Sequence, residues 1–345
     1  MALDTVIVTG GAGYIGSHTL IELMERTPYR VVSMDNHANS NPRAYERVEA
    51  ITGRKVTSVR VDLCDREATL RAIASIEDVI GVIHFAAFKS VPESVSDPGL
   101  YYRNNIGSLL NVLEAVRESK VPRFIFSSSC SVFGNIAALP VSEETPLGEP
   151  ESPYAHTKQV GERIVAAHMR VMPGTRAISL RYFNPVGAHA SGHLGEDPIN
   201  PPTNLVPVIT RAAIGRIPEV VVHGGDYDTR DGSCIRDYVH VSDIASAHVK
   251  ALDYAGNLAA EGHSIFNLGT GSGVSVLEAV HTFEEVTGQR LNFRVGPRRE
   301  GDVAAIYSDT AKAARMLGWK AERGLKEMMA TAWAWEQHLR EERGK

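Results

Sequence analysis

Three glycines, Gly10, Gly13 and Gly16, stand three residues apart between a β-branched run, Thr5–Thr9, and an amphipathic stretch, Ile15–Glu25. A short apolar run of this kind reads as a buried strand and the stretch behind it as a helix. A strand that turns through glycines straight into a helix points to a parallel βαβ arrangement. The turn needs residues without Cβ so that the backbone can approach a pyrophosphate. The helix N-terminus behind it offers N–H donors and a positive dipole end. Asp35 follows the next strand, Arg30–Met34, where a carboxylate binds a ribose 2′-hydroxyl and repels a 2′-phosphate. A plain turn with a capping Asp is spelled with the same letters, but the order strand, glycines, helix, acid favours NAD over NADP.

The alternation continues. Val56–Val61, Val79–His84, Arg123–Ser127 and Arg176–Phe183 read as strands, and Arg66–Ile76, Leu100–Ser119 and Pro153–Val171 as helices. These strands lack polar alternation, as expected when helices cover both faces of a parallel sheet, so the fold class is α/β, a doubly wound, Rossmann-like sheet. Beyond Asn184 the texture changes. Pro185–Pro202 is rich in Gly, Pro, His and Asp, the composition of an irregular segment lining a site. Shorter strands follow near Val220–His223, Ile235–Val239 and Ser264–Leu268, with a helix near Ser242–Tyr254 and a capping box at Ser275–Glu278. A chain of 345 residues accommodates two domains. The expected division is a cofactor-binding domain over 1–183 and a smaller mixed α/β substrate domain over 184–345, with segments about 235–255 packing back on the first.

Composition removes other classes. Hydrophobic residues at 43% and charged residues at 22% are those of a globular chain, and a net charge of −5 gives no electrostatic case for nucleic acid. The apolar stretch Val79–Phe88 is broken by His84 and is far too short for a membrane span. Met1-Ala2-Leu3-Asp4 has no basic n-region, so no secretory signal is expected. Cys64, Cys130 and Cys234 are widely spaced, which suits a reducing cytoplasm and offers no zinc site. His189 and His193 have no flanking ligand cluster, so no metal is expected. Neither a Gly-x-Ser-x-Gly elbow nor a phosphate-loop Gly-Lys pattern occurs.

Ser152 can cap a helix whose first residue is Pro153, and Tyr154 and Lys158 then share one face of it. A cation near 5 Å at an effective dielectric of about 20 contributes about 3 kcal/mol, or about two pKa units, to a phenol of ordinary pKa near 10. Tyr154 could then serve as a general base near neutral pH. An exposed helix surface also shows such pairs. What favours chemistry is Ser127-Ser128-Ser129 at the end of a strand, where ligands of doubly wound sheets bind.

The glycine triplet, Ser129, Tyr154 and Lys158 together resemble the extended short-chain dehydrogenase/reductase superfamily. Thr9–His18 (TGGAGYIGSH), Asp35-Asn36, Phe85–Lys89 (FAAFK), Asn104-Asn105, Arg181–His189 (RYFNPVGAH) and Arg298–Asp302 (RREGD) sharpen the resemblance to the UDP-glucose 4-epimerase family over essentially the whole chain. The resemblance implies that Gly10, Gly13, Tyr14, Ile15, Gly16, Asp35, Asn36, Asn39, Ser40, Asp62, Leu63, Phe85, Ala86, Lys89, Asn104, Lys158 and Phe183 contact NAD. It implies that Ser129 and Tyr154 meet the sugar 4-hydroxyl, and that Asn184, Asn204, Leu205, Arg236, Arg299 and Asp302 hold UDP. Two arginines suit a pyrophosphate and an Asp suits a ribose diol, although Asp237 and Glu300 could instead be ion-pair partners of the arginines. By the same resemblance, Ile306 helps set the bulk of sugar that can turn, and the protein pairs as a homodimer through the Leu100–Ser119 and Tyr154–Val171 helices.

Departures touch the sugar rather than the reaction: Ala87 where Gly is common, Phe133 where Tyr is common, and Cys130-Ser131 where Ala-Thr is frequent. The implied activity is interconversion of UDP-glucose and UDP-galactose in galactose metabolism. The alternatives are an epimerase that also takes UDP-N-acetylglucosamine and UDP-N-acetylgalactosamine, a nucleotide-sugar 4,6-dehydratase, or a non-catalytic NAD sensor. A dehydratase needs a carboxylate pair after the hydroxyl residue, where this chain has Cys130 and Ser131.

Overall fold

The structure, a computed structural model, describes residues 3–200, 204–257, 262–299 and 302–344. Its first half alternates β1 (Thr5–Thr9), α1 (Tyr14–Arg26), β2 (Arg30–Asp35), α2 (Arg43–Thr52), β3 (Thr57–Arg60), α3 (Arg66–Ala74) and β4 (Val79–His84). The short helices α4 (Val91–Ser96) and α5 (Pro98–Tyr101) lead into α6 (Gly107–Glu118), and β5 (Arg123–Ser129), α7 (Pro153–Met169) and β6 (Arg176–Tyr182) follow. The main sheet is parallel, in the order Gly262–Leu268, β6, β5, β4, β1, β2, β3.

Alternate residues of each central strand enter opposite cores. Val6, Val8, Ile83 and Ile125 pack under α1, α2 and the helix Val241–Asn257. Ile7, Val82, Phe124 and Phe126 pack under α6 and α7. Burial on both faces is why these strands read as unbroken apolar runs. Strand order reverses at the β1–β4 junction, which opens a crevice beyond the carboxyl ends of both.

A third core lies elsewhere. Val206, Ile209, Phe283, Met328 and Met329 join the helices Leu205–Ala213, Val276–Thr287 and Leu325–Glu342. The capping box read at Ser275 and Glu278 is present, each side chain bonded to the other's backbone.

Three sequence readings need correction. The helix expected over Leu100–Ser119 is interrupted by a π-helical turn, Tyr102–Ile106. There Asn105 Nδ2 donates to the Phe88 carbonyl and to Thr157 Oγ1, while its Oδ1 accepts from the Phe88 N–H. These tertiary bonds secure the residue in the widened turn. The strand expected over Ile235–Val239 is two, Ile235–Arg236 and Tyr238–His240, which join different sheets. Between them the Asp237 carboxylate accepts from Thr270, Gly271 and Ser308, which anchors the chain where it changes sheets. The strand read at Ser264–Leu268 adds to the edge of the main sheet, so the chain beyond residue 184 re-enters the first layer later than 235–255 as well. Of the irregular Pro185–Pro202 stretch, residues 201 and 202 lie outside the described residues; so do Glu300 and Gly301 of the Arg-Arg-Glu-Gly-Asp segment.

Candidate active site

The crevice is a cavity of about 460 Å³ that runs from the glycine turn to Arg299 and Asp302. It takes in every residue that the resemblance assigns to the cofactor, the sugar or UDP except Leu205, whose side chain packs in the third core.

At one end the backbone is the binding surface. Gly10 has φ +72, and a Cβ on it would stand 2.8 Å from the Ala86 nitrogen. A Cβ on Gly16 would stand 2.2 Å from the Gly10 carbonyl oxygen. Gly13 is the N-cap of α1 and no side chain caps that helix, so its positive end faces the cavity with Tyr14 and Ile15. Asp35 Oδ2 accepts from the Ala12 N–H at 3.1 Å; its Oδ1 accepts from the His37 N–H and Ser40 Oγ at 2.8 and 2.9 Å. The carboxylate is thus held rigidly and keeps acceptor capacity on Oδ2. Asn36 folds back on the Ala38 N–H, and Asn39 lines the cavity with a buried Oδ1 that has no partner among the described residues. Asp62 and Leu63 close the adjacent wall and Phe85, Ala86 and Asn104 the floor. Lys89 does not point free into the cavity; its Nζ donates to Glu196 Oε1 at 2.6 Å.

The middle carries the reactive groups. Ser152 Oγ accepts from the Ala155 N–H, and Pro153 opens α7 as expected. Tyr154 and Lys158 line the cavity opposite Ser129, whose Oγ accepts from the Ser131 N–H at 3.2 Å. Lys158 Nζ donates to the Ser127 carbonyl at 2.7 Å, 5.1 Å from the centre of the Phe126 ring and 5.9 Å from that of Tyr154. The expected lowering of the Tyr154 pKa is overturned for the chain alone. Burial pushes the phenol up to about 12; the Ser129 hydroxyl favours the phenolate, and Lys158 is not among the groups that shift it. Burial also pushes Lys158 down to about 8. Desolvation outweighs the pair attraction that the sequence suggests.

At the far end Phe183 and Ile306 pack together with Val132 and Phe133 as an apolar wall. Asn184 lines the cavity with a buried Oδ1 unpartnered among the described residues, and Asn204 stands at the start of the helix Leu205–Ala213. Arg236 Nη2 lies 3.4 Å from Asp302 Oδ1, and Arg299 donates to both Asp302 oxygens at 2.9 and 3.1 Å. The two arginines thus converge on Asp302 rather than on Asp237, which is taken up by Thr270 and Ser308.

Sequence reading missed Arg47, Glu196 and Asp197, which also line the cavity. Arg47 pairs with Asp197 and with Glu342 of the C-terminal helix, and no local motif announces contacts between residues so far apart in the chain.

The sequence profile of the NAD dependent epimerase/dehydratase family matches residues 6–269. The chain belongs to that family. A UDP-glucose 4-epimerase of Drosophila melanogaster is 46% identical over 342 residues, covering 97% of each chain, and one of Bacillus subtilis is 45% identical over 331 residues, covering 96% of each. The crystal structure of the Bifidobacterium longum UDP-glucose 4-epimerase, in complex with NAD+ and UDP, superposes with a TM-score of 0.92 at 45% identity, covering 97% of this chain and 98% of that one. A Stenotrophomonas maltophila UDP-glucose-4-epimerase with bound NAD and formylated UDP-arabinopyranose gives 0.94 at 42% identity over 100% of both.

For this epimerase/dehydratase family member the cofactor is NAD, and the site fits it. The glycine cradle excludes a Cβ where a pyrophosphate approaches, the uncapped helix end suits its charge, and the Asp35 carboxylate suits a ribose diol. Among the described residues no cluster of three metal-binding side chains exists, and no helix is long and apolar enough to cross a membrane.

Proposed function

We propose that this chain is a UDP-glucose 4-epimerase, interconverting UDP-glucose and UDP-galactose. The observation that carries the reading is one continuous cavity with Asp35 at one end, Arg236 and Arg299 at the other, and Ser129, Tyr154 and Lys158 between them. Full-length relatives at 41–46% identity bear that name. Residues 1–183 serve chiefly the cofactor and 184–345 the nucleotide sugar. Arg236, Arg299 and Asp302, with Asn184 and Asn204, hold the UDP moiety. Leu205 acts by placing the helix behind them rather than by touching the ligand.

When bound, NAD supplies the hydride acceptor at the sugar C4 and a positive charge beside the phenol. Ser129 Oγ orients the 4-hydroxyl, and Tyr154 Oη takes its proton as the C4–H bond breaks, leaving a 4-keto sugar. With UDP gripped by charged side chains, the sugar is free to turn about its link to the pyrophosphate along the Phe183–Ile306 wall. Tyr154 then returns the proton as hydride comes back to the other face. Lys158, aimed into the cavity from the Ser127 carbonyl, anchors the cofactor ribose and favours the phenolate once the site is filled. Burial pushes the Cys130 thiol up to about 12, so it stays protonated and cannot replace the base a dehydratase needs.

The chain pairs as a homodimer through the segments Leu100–Ser119 and Tyr154–Val171, where Tyr102 and Leu110 are exposed and Tyr102 Oη meets His156 Nδ1 at 2.7 Å. Three free thiols suit the reducing cytoplasm. The deciding experiment incubates the purified protein with UDP-galactose and no added nucleotide, then separates the products. UDP-glucose is the expected product; a 4-keto-6-deoxy sugar would identify a dehydratase, and no turnover a sensor.

A further inference from the structure

Lys158 is a buried ammonium with a single hydrogen-bond acceptor, the Ser127 carbonyl, and no carboxylate within ion-pair distance among the described residues. Its burial favours the neutral amine, which could neither hold a ribose hydroxyl as a charged donor nor stabilise a phenolate. Some fixed negative charge must offset that cost.

One turn farther along α7, on the same face, stands Glu162. It too is buried, and the sheet beneath holds it in place. Its Oε1 accepts from Ser128 Oγ at 2.5 Å and from Arg181 Nε at 2.8 Å; its Oε2 accepts from Arg181 Nη2 at 2.6 Å. Ser128 and Arg181 are register partners on β5 and β6 and so present to the same face. Arg181 lies 5.0 Å from the Phe133 ring centre with Nη1 unpartnered among the described residues.

Resting on the epimerase reading, we infer that Glu162, clamped by Ser128 and Arg181, is a positioning residue that keeps Lys158 in its ammonium form. Glu162 is the one charged neighbour that raises the Lys158 pKa against burial, and Arg181 does not register there. The other titratable groups in this neighbourhood are uncharged. His84 on β4 is held down to about 3, and His263 on the strand Gly262–Leu268, near Glu162, to about 4. The Tyr154 and Tyr182 phenols are pushed up by burial. The arrangement also explains a three-serine run at one strand end. The Ser127 hydroxyl bonds the Tyr182 hydroxyl while its carbonyl takes Lys158, Ser128 orients Glu162, and Ser129 faces the sugar.

The test measures how fast acetic anhydride labels Lys158 as a function of pH, by peptide mass spectrometry, on the purified holoprotein. Glu162→Gln alone leaves Arg181 buried without a counter-charge and is expected to destabilise the fold. The informative variant is therefore Glu162→Gln with Arg181→Gln, which removes both charges. Its Lys158 labelling inflection should fall by about one pH unit, so that labelling below the inflection is about tenfold faster, with the alkaline limb of turnover moving in parallel. Glu162→Asp should restore the wild-type inflection. An inflection unchanged in the double variant would overturn the inference, as would a uniform loss of turnover with no movement along the pH axis. Wild-type protein that labels as described but leaves UDP-galactose unchanged would instead refute the epimerase reading alone.

Discussion

The Tyr154 phenol carries its proton in the chain alone, because desolvation outweighs anything its neighbours offer, and becomes a base only when the cavity is filled. Tyr154→Phe deletes the proton acceptor and keeps the ring. Turnover of UDP-galactose should fall by about 10²–10⁴ while NAD content stays at the wild-type level. Near-normal turnover in that variant would assign the base elsewhere. Ile306 belongs to the buried wall with Phe183 and Phe133, beside the reacting centre. A hydrophobic wall rejects an added polar group weakly, by about a hundredfold. Weak turnover of UDP-N-acetylglucosamine is therefore expected beside efficient turnover of UDP-glucose. Ile306→Tyr should suppress the N-acetyl activity selectively, since the ring takes the space the acetamide needs. Comparing both substrates in both proteins decides it, and equal N-acetyl rates would remove Ile306 from the sugar path.

The β1–α1 turn is the element that sequence defines most closely, since its glycines are required by backbone contact alone. A methyl on Gly16 meets the Gly10 carbonyl, which belongs to the same tight turn and cannot swing aside as a long side chain can. Gly16→Ala should therefore yield protein with little or no NAD and a lower unfolding temperature, read from nucleotide released on denaturation and from a thermal melt. Full NAD content would show that the turn relaxes. The π-helical turn at Tyr102–Ile106 is the opposite case. Its apolar periodicity differs from that of a plain helix by one residue, and the bonds that hold Asn105 run to Phe88 and Thr157. Nothing within Leu100–Ser119 announces partners on other elements.

Five histidines, four of them buried and His263 half-buried, have depressed pKa values: His84 and His240 about 3, and His18, His248 and His263 about 4, desolvation being the first cause in each. Each is hydrogen-bonded, for example His84 Nδ1 with Thr9 Oγ1 at 2.8 Å and His248 Nδ1 with the Ile244 carbonyl at 2.8 Å. Unfolded, each would take a proton near pH 6.5; folded, each refuses it until pH 3–4. Stability rises with pH wherever the unfolded state binds more protons. This contribution is therefore complete above about pH 6.5 and is lost as pH falls toward 3–4, at up to about 1.4 kcal/mol per histidine per pH unit. The urea midpoint should drop steadily between pH 7 and pH 5, before most carboxylates titrate. A flat midpoint across that range would show that these rings are not buried as neutral groups.

The glycine turn, the parallel strands, the Asp35 acid and the Tyr154–Lys158 face could all be read from the sequence, because each depends on a local pattern: a missing Cβ, an unbroken apolar run, a four-residue spacing, a cap. The far end of the cavity was reached only through a resemblance, because Arg236, Arg299 and Ile306 meet Tyr154 across more than seventy residues of intervening chain. Three outcomes belonged to tertiary structure alone. Arg236 and Arg299 converge on Asp302, Lys89 binds Glu196, and burial rather than Lys158 sets the proton on Tyr154. Ion-pair choice and pKa depend on which groups are desolvated together, and desolvation is a property of the packed molecule that no spacing along the chain records.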